Sequence, residues 1–459
     1  MIFAFYDLET TGISPAFDQP LQFAAILTDG EFREIERVNL RCRIAPHIIP
    51  SPWALAVTGV RPAQLIDPSL PSLFEFTQDI AALIQRWSPA IWTGFNSIHF
   101  DEEMLRQAFY QNLQPDIFAT QFNGNTRLDV LTALYAVWYR QPDLLKWPVD
   151  ETGRVRFKLD RIAPLNGFTA HNAHDALGDV EATIHITRQI AQRAPELWEE
   201  LLSNRDKGSV QARLASFQPM ALVERFGGSP PRATIGCYCG TSANNANQAA
   251  FLDLEAVDPA DLLAADDAVL FAAVDASPKI IRSLATNKSP ALLAFATPNA
   301  EHIRRAEIVA NAPEFRARVA KALAARFPED PAAPTPPVEK QIFGGFYSHA
   351  DKALLTEFQR ADWPRRQEIA SSLADRRLRQ LGRRLVAFHE PALLSPEERG
   401  QYEDWLRARW SAADVPETEW LTVERSRCAI ADMRTGGDVD VGLISEIETY
   451  LQGFDISAR

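Results

Sequence analysis

The stretch FAFYDLETTG, residues 3–12, constrains the fold of this chain more than any other. Five apolar or aromatic residues in a row, Ile2 to Tyr6, run directly into two carboxylates one residue apart, Asp7 and Glu9. Successive side chains of a strand alternate faces, so Asp7 and Glu9 project to the same side. The apolar run predicts a central strand, which puts the acidic pair at the edge of a core where unpaired charge is costly. Two carboxylates that close repel unless a cation stands between them. A hard divalent cation with oxygen ligands is the simplest such partner, and Thr10-Thr11-Gly12 would turn the chain away and leave the site open. Taken alone, the same ten residues read equally well as a solvated strand end.

The pattern around this strand is that of an α/β domain with a mixed sheet and flanking helices. LQFAAILTD, a turn at Asp29-Gly30 and the alternating REIERVNLRCRI predict a hairpin-rich start. Helical periodicity follows over 70–88 and 101–113 with the apolar strand AIWTGFN between them, then RLDVLTALYAVW and a helix over about 173–193. The texture then changes. Residues 210–300 hold short apolar runs (ALVERF, AAFLDLEAV, AVLFAAV, ALLAFATP) separated by GGSPP, GTSANNANQ and NKSP, and predict a small β-rich domain. The Pro/Ala-rich FPEDPAAPTPPVEK, 327–340, reads as a linker or surface crossing, and the remainder is helical in pattern with the basic run DRRLRQLGRR. A length of 459 residues suits three domains, with expected bounds 1–193, 194–338 and 339–459.

Two further acidic pieces stand in the first domain. In GFNSIHFDEEML, 94–105, an apolar strand runs into a helix, and Asp101 is the acid best placed at the junction. Acids in a first helical turn are ordinary N-terminal electrostatics, so none of Asp101, Glu102 and Glu103 is diagnostic alone. In TAHNAHDALGDVEAT, 169–183, Asp175 and Asp179 share a helix face. With a helix beginning near Asp175, His174 would lie just before its first turn, where a neutral imidazole suits a general base. Alone, His171 and His174 are ordinary loop residues.

Composition narrows the rest. A net charge of −13 argues against general adhesion to nucleic acid, so any such site must be a local basic groove. No apolar run approaches the roughly 18–20 residues that span a bilayer, and MIFAFYDLE has neither a basic start nor a cleavage site, so a cytoplasmic chain with no membrane contact is expected. Four scattered cysteines predict reduced thiols.

Asp-x-Glu on a first strand, Asp at a later strand–helix junction and His-x4-Asp opening the last helix of the domain resemble the signature of the DEDDh 3′→5′ exonucleases, which have a ribonuclease-H-like fold. FKLDRIAPLNGFTAHNAHDALGDVEAT and PWALAVTGVRPAQL resemble further stretches of that superfamily. Within it, DQPLQFAAILTDGEF, GFNSIHFDEEMLRQAFYQN, NAHDALGDVEATIHI and FGGFYSHADK resemble the bacterial exonuclease I family, single-strand-specific exodeoxyribonucleases, over essentially the whole chain. The resemblance implies a ribonuclease-H-like exonuclease domain, a β-rich SH3-like domain and a helical C-terminal domain. The middle domain resembles the family least, since GTSANNANQAAF has no aromatic residue before Phe251, where the family places a tryptophan.

The resemblance further implies two-metal-ion hydrolysis of single-stranded DNA from its 3′ end to 5′-mononucleotides, in DNA repair and recombination. Two Mg2+ ions, with Mn2+ as a substitute, would lie about 3.5–4 Å apart. Asp7 would bridge both, Glu9 and Asp179 would bind one, Asp101 would hold the second partly through water, and His174 would deprotonate the attacking water. Substrate contacts are expected from Glu9, from Lys158 in RFKLD, from Arg106 one turn beyond Asp101, and from stacking on Phe23, Phe95 or Phe100. Phosphate-lining candidates are Lys207, Arg213, Lys288 and the arginines at 376, 377, 379, 383 and 384. The expected partner besides DNA is the acidic tail of single-stranded-DNA-binding protein, and the chain is expected to be a monomer. Two competing expectations remain: an RNA exonuclease of the same superfamily, similar to RNase T, and a non-catalytic protein that binds DNA ends.

Overall fold

The computed structural model describes residues 1–169, 175–275, 277–326, 334–411, 418–436 and 440–454. The first sheet has five strands, β1 (Phe3–Thr10), β2 (Pro20–Thr28), β3 (Glu34–Arg41), β4 (Ile91–Gly94) and β5 (Thr126–Asp129), in the order β3-β2-β1-β4-β5. β1 is central, as its unbroken apolar run requires. It pairs antiparallel with β2 and parallel with β4, and β4 pairs parallel with β5.

Among the described residues the α-helices that accompany this sheet are α1 (Pro52–Thr58), α2 (Pro62–Leu65), α3 (Leu73–Trp87), α4 (Asp101–Gln111), α5 (Val130–Arg140), α6 (Leu159–Leu165) and α7 (Ala176–Arg193). The strand period of two divides β1 between two cores. Phe3 and Phe5 join Leu134 and Val137 of α5 and Val180 and Ile184 of α7, whereas Ala4, Tyr6 and Leu8 join Phe76 and Ile80 of α3 and Met104 and Leu105 of α4. Asp7 and Glu9 continue the row of Phe3 and Phe5, on the α7 side.

The second sheet is antiparallel: β6 (Met220–Glu224), β7 (Arg232–Thr241), β8 (Gln248–Asp253), β9 (Ile281–Ala285) and β10 (Leu292–Ala294), in the order β10-β6-β7-β8-β9. Helices α8 (Pro195–Ser203), α9 (Lys207–Ala215), α10 (Pro259–Ala264), α11 (Asp267–Asp275), α12 (Ala300–Ala310) and α13 (Pro313–Ala325) surround it. One expected strand is a helix: AVLFAAV lies in α11. Its buried residues Leu270, Ala273 and Val274 have helical spacing, while Val269 and Phe271 are exposed. The longest strand of this sheet, RATIGCYCGT, has no run of bulky apolar residues to signal it. Gly236 is needed there because a Cβ would come within 2.2 Å of the Leu252 carbonyl oxygen.

The remaining helices are α14 (His349–Arg360), α15 (Trp363–Ser372), α16 (Arg376–His389), α17 (Pro396–Ser411), α18 (Val423–Gly436) and α19 (Val441–Gln452). They complete the first domain's core: Phe358, Ile369 and Leu381 pack with Phe74, Phe109 and Leu113. Gln359 Nε2 bonds the carbonyls of Asn112 (3.1 Å) and Leu113 (2.8 Å) across the same seam. Residues 327–333 of the Pro/Ala-rich stretch lie outside the described residues. All four cysteines are free thiols, and among the described residues no helix is long and apolar enough to cross a membrane.

Candidate active site

β1 runs past the end of β4. Their register stops at Phe5 opposite Thr93, so the edge of β1 that faces β4 goes on without a strand partner. Asp101, first residue of α4, fills that edge: its Oδ1 accepts the Leu8 N–H at 2.9 Å. The close approach of β4 to β1 needs Gly94, where a Cβ would meet the Tyr6 carbonyl oxygen at 2.5 Å.

The turn from β4 into α4 is held by a residue of the next strand. Asp129 Oδ1 accepts the N–H groups of Asn96 (3.0 Å) and Leu131 (2.9 Å), and Oδ2 accepts that of Ile98 (3.1 Å). Asn96 sits in the left-handed region, φ 63°. One buried carboxylate thereby caps α5 and shapes the loop that delivers Asp101.

Asp179, from the first turn of α7, comes down on the other side of β1. One carboxylate oxygen from each of Asp7, Glu9 and Asp179 lies within 4.8 Å of the others. Asp175, at the N-cap, does not cap its own helix. Its Oδ1 accepts from Gln22 Nε2 (2.9 Å) and Arg41 Nη2 (3.2 Å) instead, docking the start of α7 on the sheet. Glu9, Gln22 and Arg41 form one row across β1, β2 and β3.

Burial and mutual repulsion dominate the electrostatics of this cluster. Burial, then repulsion from Asp101, Asp179 and Glu9, holds the Asp7 carboxyl well above the usual carboxylate range. Burial and the charges of Asp179 and Asp101 push Glu9 up to about 8, against the opposing pull of Arg41. Asp101, 3% exposed, is pushed up to about 8 by burial despite the Leu8 hydrogen bond that lowers it. Asp7 and Glu9, whose carboxyls resist ionisation without a cation, converge with Asp179 to ligand spacing, an arrangement that fits an oxygen-preferring divalent metal ion.

The other expected site residues are placed differently. His174 and His171 lie outside the described residues. Lys158 is exposed just ahead of α6 and lines a surface groove with Arg156 and Arg161. Arg106 is turned into the protein. It is buried, with Nη2 on Glu102 (2.9 Å), Nη1 on Glu103 (2.8 Å) and its plane over Phe118. Phe23 cannot stack on a base either: it is 0% exposed and stacks on Tyr6 inside the core. Phe95 and Phe100 are partly buried against the two cores, and Phe251 is fully buried. Of the basic run in α16, Arg377 pairs with Asp375, Arg379 bonds the Leu373 carbonyl and Arg384 pairs with Glu339. Arg376 and Arg383 are exposed. Arg213 is engaged by Glu200 and Asn204, and Lys288 reaches Glu103. Sequence reasoning passed over Gln22, Arg41 and Asp129 and read Glu102 only as ordinary first-turn electrostatics; the acid ending RLD ahead of an apolar helix was the one signal for Asp129.

With this geometry in place, the comparisons with known proteins are specific. A family model for Exonuclease matches residues 4–187, and one for the Exonuclease I C-terminal domain matches residues 336–453. The chain is 28% identical over 436 residues to exodeoxyribonuclease I of Escherichia coli strain K12, covering 89% of each chain. Its fold superposes on exonuclease I from Methylocaldum szegediense with a TM-score of 0.84 at 25% identity, and on E. coli exonuclease I in complex with a dA16 oligonucleotide with a TM-score of 0.83 at 25% identity. Each match covers 99% of both chains.

Proposed function

Because the chain belongs to the exonuclease I family and is a homologue of exodeoxyribonuclease I, a phosphodiester hydrolase, we propose that it degrades single-stranded DNA from the 3′ end, releasing 5′-mononucleotides. The observation that carries this reading is the convergence of Asp7, Glu9 and Asp179 at the end of β1, with Asp101 held beside them by the Leu8 N–H.

Asp7, Glu9, Asp179 and Asp101 would hold two divalent cations, Mg2+ or Mn2+ in its place. Bound there, the cations would supply Lewis-acid stabilisation of the charge that builds on the attacking and leaving oxygens of the phosphoryl transfer. The chain's own residues do the rest. β1 holds Asp7 and Glu9 between two cores, α7 brings Asp179 to them, and α4 seats Asp101 on the Leu8 N–H. His174 takes a proton from the attacking water as it adds to phosphorus; the P–O3′ bond to the preceding nucleotide breaks, its O3′ takes up a proton from solvent, and that nucleotide becomes the new 3′ end. Asp175, the next residue, is fixed by Gln22 and Arg41, which sets where the chain enters α7. Lys158, exposed in its groove, supplies a phosphate contact. The acidic tail of single-stranded-DNA-binding protein is the protein partner in this reading, the chain itself acting as a monomer in DNA repair and recombination.

The test is degradation of matched 3′- and 5′-labelled DNA and RNA, single- and double-stranded, with and without Mg2+. The expected result is Mg2+-dependent release of mononucleotides from the 3′ end of single-stranded DNA. Faster turnover of RNA, or digestion by Asp7→Asn at the wild-type rate, would sink the proposal.

A further inference from the structure

Asp101 is followed at once by two more acids, and the three carboxylates go to three different places. Asp101 reaches β1. Glu102 turns inward, 3% exposed, and its Oε1 accepts from Arg106 Nη2 (2.9 Å), Thr120 Oγ1 (2.9 Å) and Gln121 Nε2 (2.8 Å), with Arg127 Nη1 at 3.1 Å. Its other oxygen faces the Tyr6 hydroxyl at 3.5 Å, next to Asp7 in β1. Glu103 meets Lys288 Nζ at 3.4 Å.

Both of the last two acids lead into the second sheet. Arg127 turns its other arm, Nη2, to the Asn287 carbonyl oxygen at 2.5 Å, and Lys288 is the next residue. Asn287 and Lys288 lie in the turn between β9 and β10. Two consecutive residues of α4 are thus tied to two consecutive residues of one turn. The turn is not free to relax: Ser289 is buried at φ 45°, a conformation costly for a residue with a side chain and kept only where the surroundings over-determine it. Complementing a helix dipole needs no desolvated ion pairs, so this network exceeds what α4 requires as a helix.

We infer that Glu102 and Arg127 are positioning residues for Asp101, and that the β9–β10 turn is the far end of their support. The middle domain then contributes to divalent-cation binding at a cluster its own residues do not enter. The inference rests on the metal site proposed above and adds an inter-domain dependence to it.

The experiment is calorimetric titration of Mn2+ into the intact protein without DNA, paired with circular dichroism and a melting curve for each variant. Arg127→Met is expected to weaken Mn2+ binding about 10–100-fold, as loss of a residue that orients a metal ligand does. Arg127→Lys keeps the charge but not the two-armed reach and is expected to fall between. Lys288→Ala, on a side chain 36% exposed, removes the Glu103 tie without endangering the core and is expected to shift affinity in the same direction. A purely structural role would lower the melting temperature and leave the cation affinity of the folded protein unchanged. Wild-type affinity in folded Arg127→Lys and Lys288→Ala would overturn the inference. Failure of the wild-type protein to take up Mn2+ at all would instead overturn the metal site itself.

Discussion

The Leu8 N–H donates to Asp101 Oδ1 at 2.9 Å, and Leu8 stands between Asp7 and Glu9, so the backbone that presents two of the acids also seats a third. Asp101→Asn preserves the acceptor and removes the charge. Hydrolysis is expected to fall on the order of 10²–10³-fold, the scale of losing one preorganised electrostatic element, with the melting temperature unchanged or higher. Asp101→Leu, which loses the acceptor as well, is expected to lower both. Single-turnover kinetics and calorimetry distinguish the two variants.

The raised carboxyls of the cluster fix the sign of a pH effect in chelated protein. Glu9 titrates near 8 when folded, against 4.5 for the ordinary group, so between these values the folded state holds more protons than the unfolded one. Its contribution to stability therefore falls as pH rises through that window, and the same sign holds for Asp7 and Asp101. The expected outcome with EDTA is a melting temperature higher at pH 6 than at pH 8, with the slope reduced in Asp7→Asn. Saturating Mg2+ should raise the melting temperature more at pH 8, because binding requires ionised ligands. An unchanged slope in Asp7→Asn would contradict the electrostatics described.

Gly94→Ala is expected to destabilise by about 1–3 kcal/mol, because the neighbour is the Tyr6 carbonyl and has no flexible end to move. Since the displaced backbone adjoins Asp7, metal affinity should fall together with stability. Chemical denaturation and Mn2+ titration of one preparation check both.

Lys158 and Arg106 should separate cleanly in salt titrations of single-stranded DNA binding. A side chain that contacts one phosphate contributes about 0.7 to the slope of log affinity against log salt, so Lys158→Ala is expected to reduce the slope by about that amount. Arg106→Met should leave the slope unchanged and instead lower stability by about 3 kcal/mol, because Glu102 and Glu103 lose a buried partner.

Phe23→Ala is expected to cost about 3–5 kcal/mol, as for other buried aromatic side chains. Once concentrations are corrected for the folded fraction, its affinity for oligonucleotide should equal wild type. A stacking contact would instead show as lost affinity at full stability.

Much of the first domain was legible because its signals are local. An apolar run ending in Asp-x-Glu reads as an inner strand with an acidic tip, and the later acids, each ordinary alone, fall in order after it. What could not be read was direction. Arg106 sits where a helical side chain could meet substrate or core, and only the packing of Phe118, Glu102 and Glu103 around it decides for the core. Phe23 alternates correctly for either face of a sheet; being in an inner strand with helices on both sides buries it. Asp129 holds a loop 31 and 33 residues away and Glu102 binds Thr120 and Gln121, 18 and 19 residues on, and no periodicity encodes that. In the middle domain β7 escaped notice because glycines and cysteines stand where bulkier residues would have shown alternation.

The division of β1 between two cores has a dynamic consequence. Its backbone is hydrogen-bonded to β2 along the strand and to β4 or Asp101 along the other edge, while its side chains anchor helices above and below. The Phe5 amide lies inside both ladders, so its deuterium uptake should report the whole molecule's unfolding, whereas the Leu8 amide, held by the Asp101 side chain, can exchange through local movement at the start of α4.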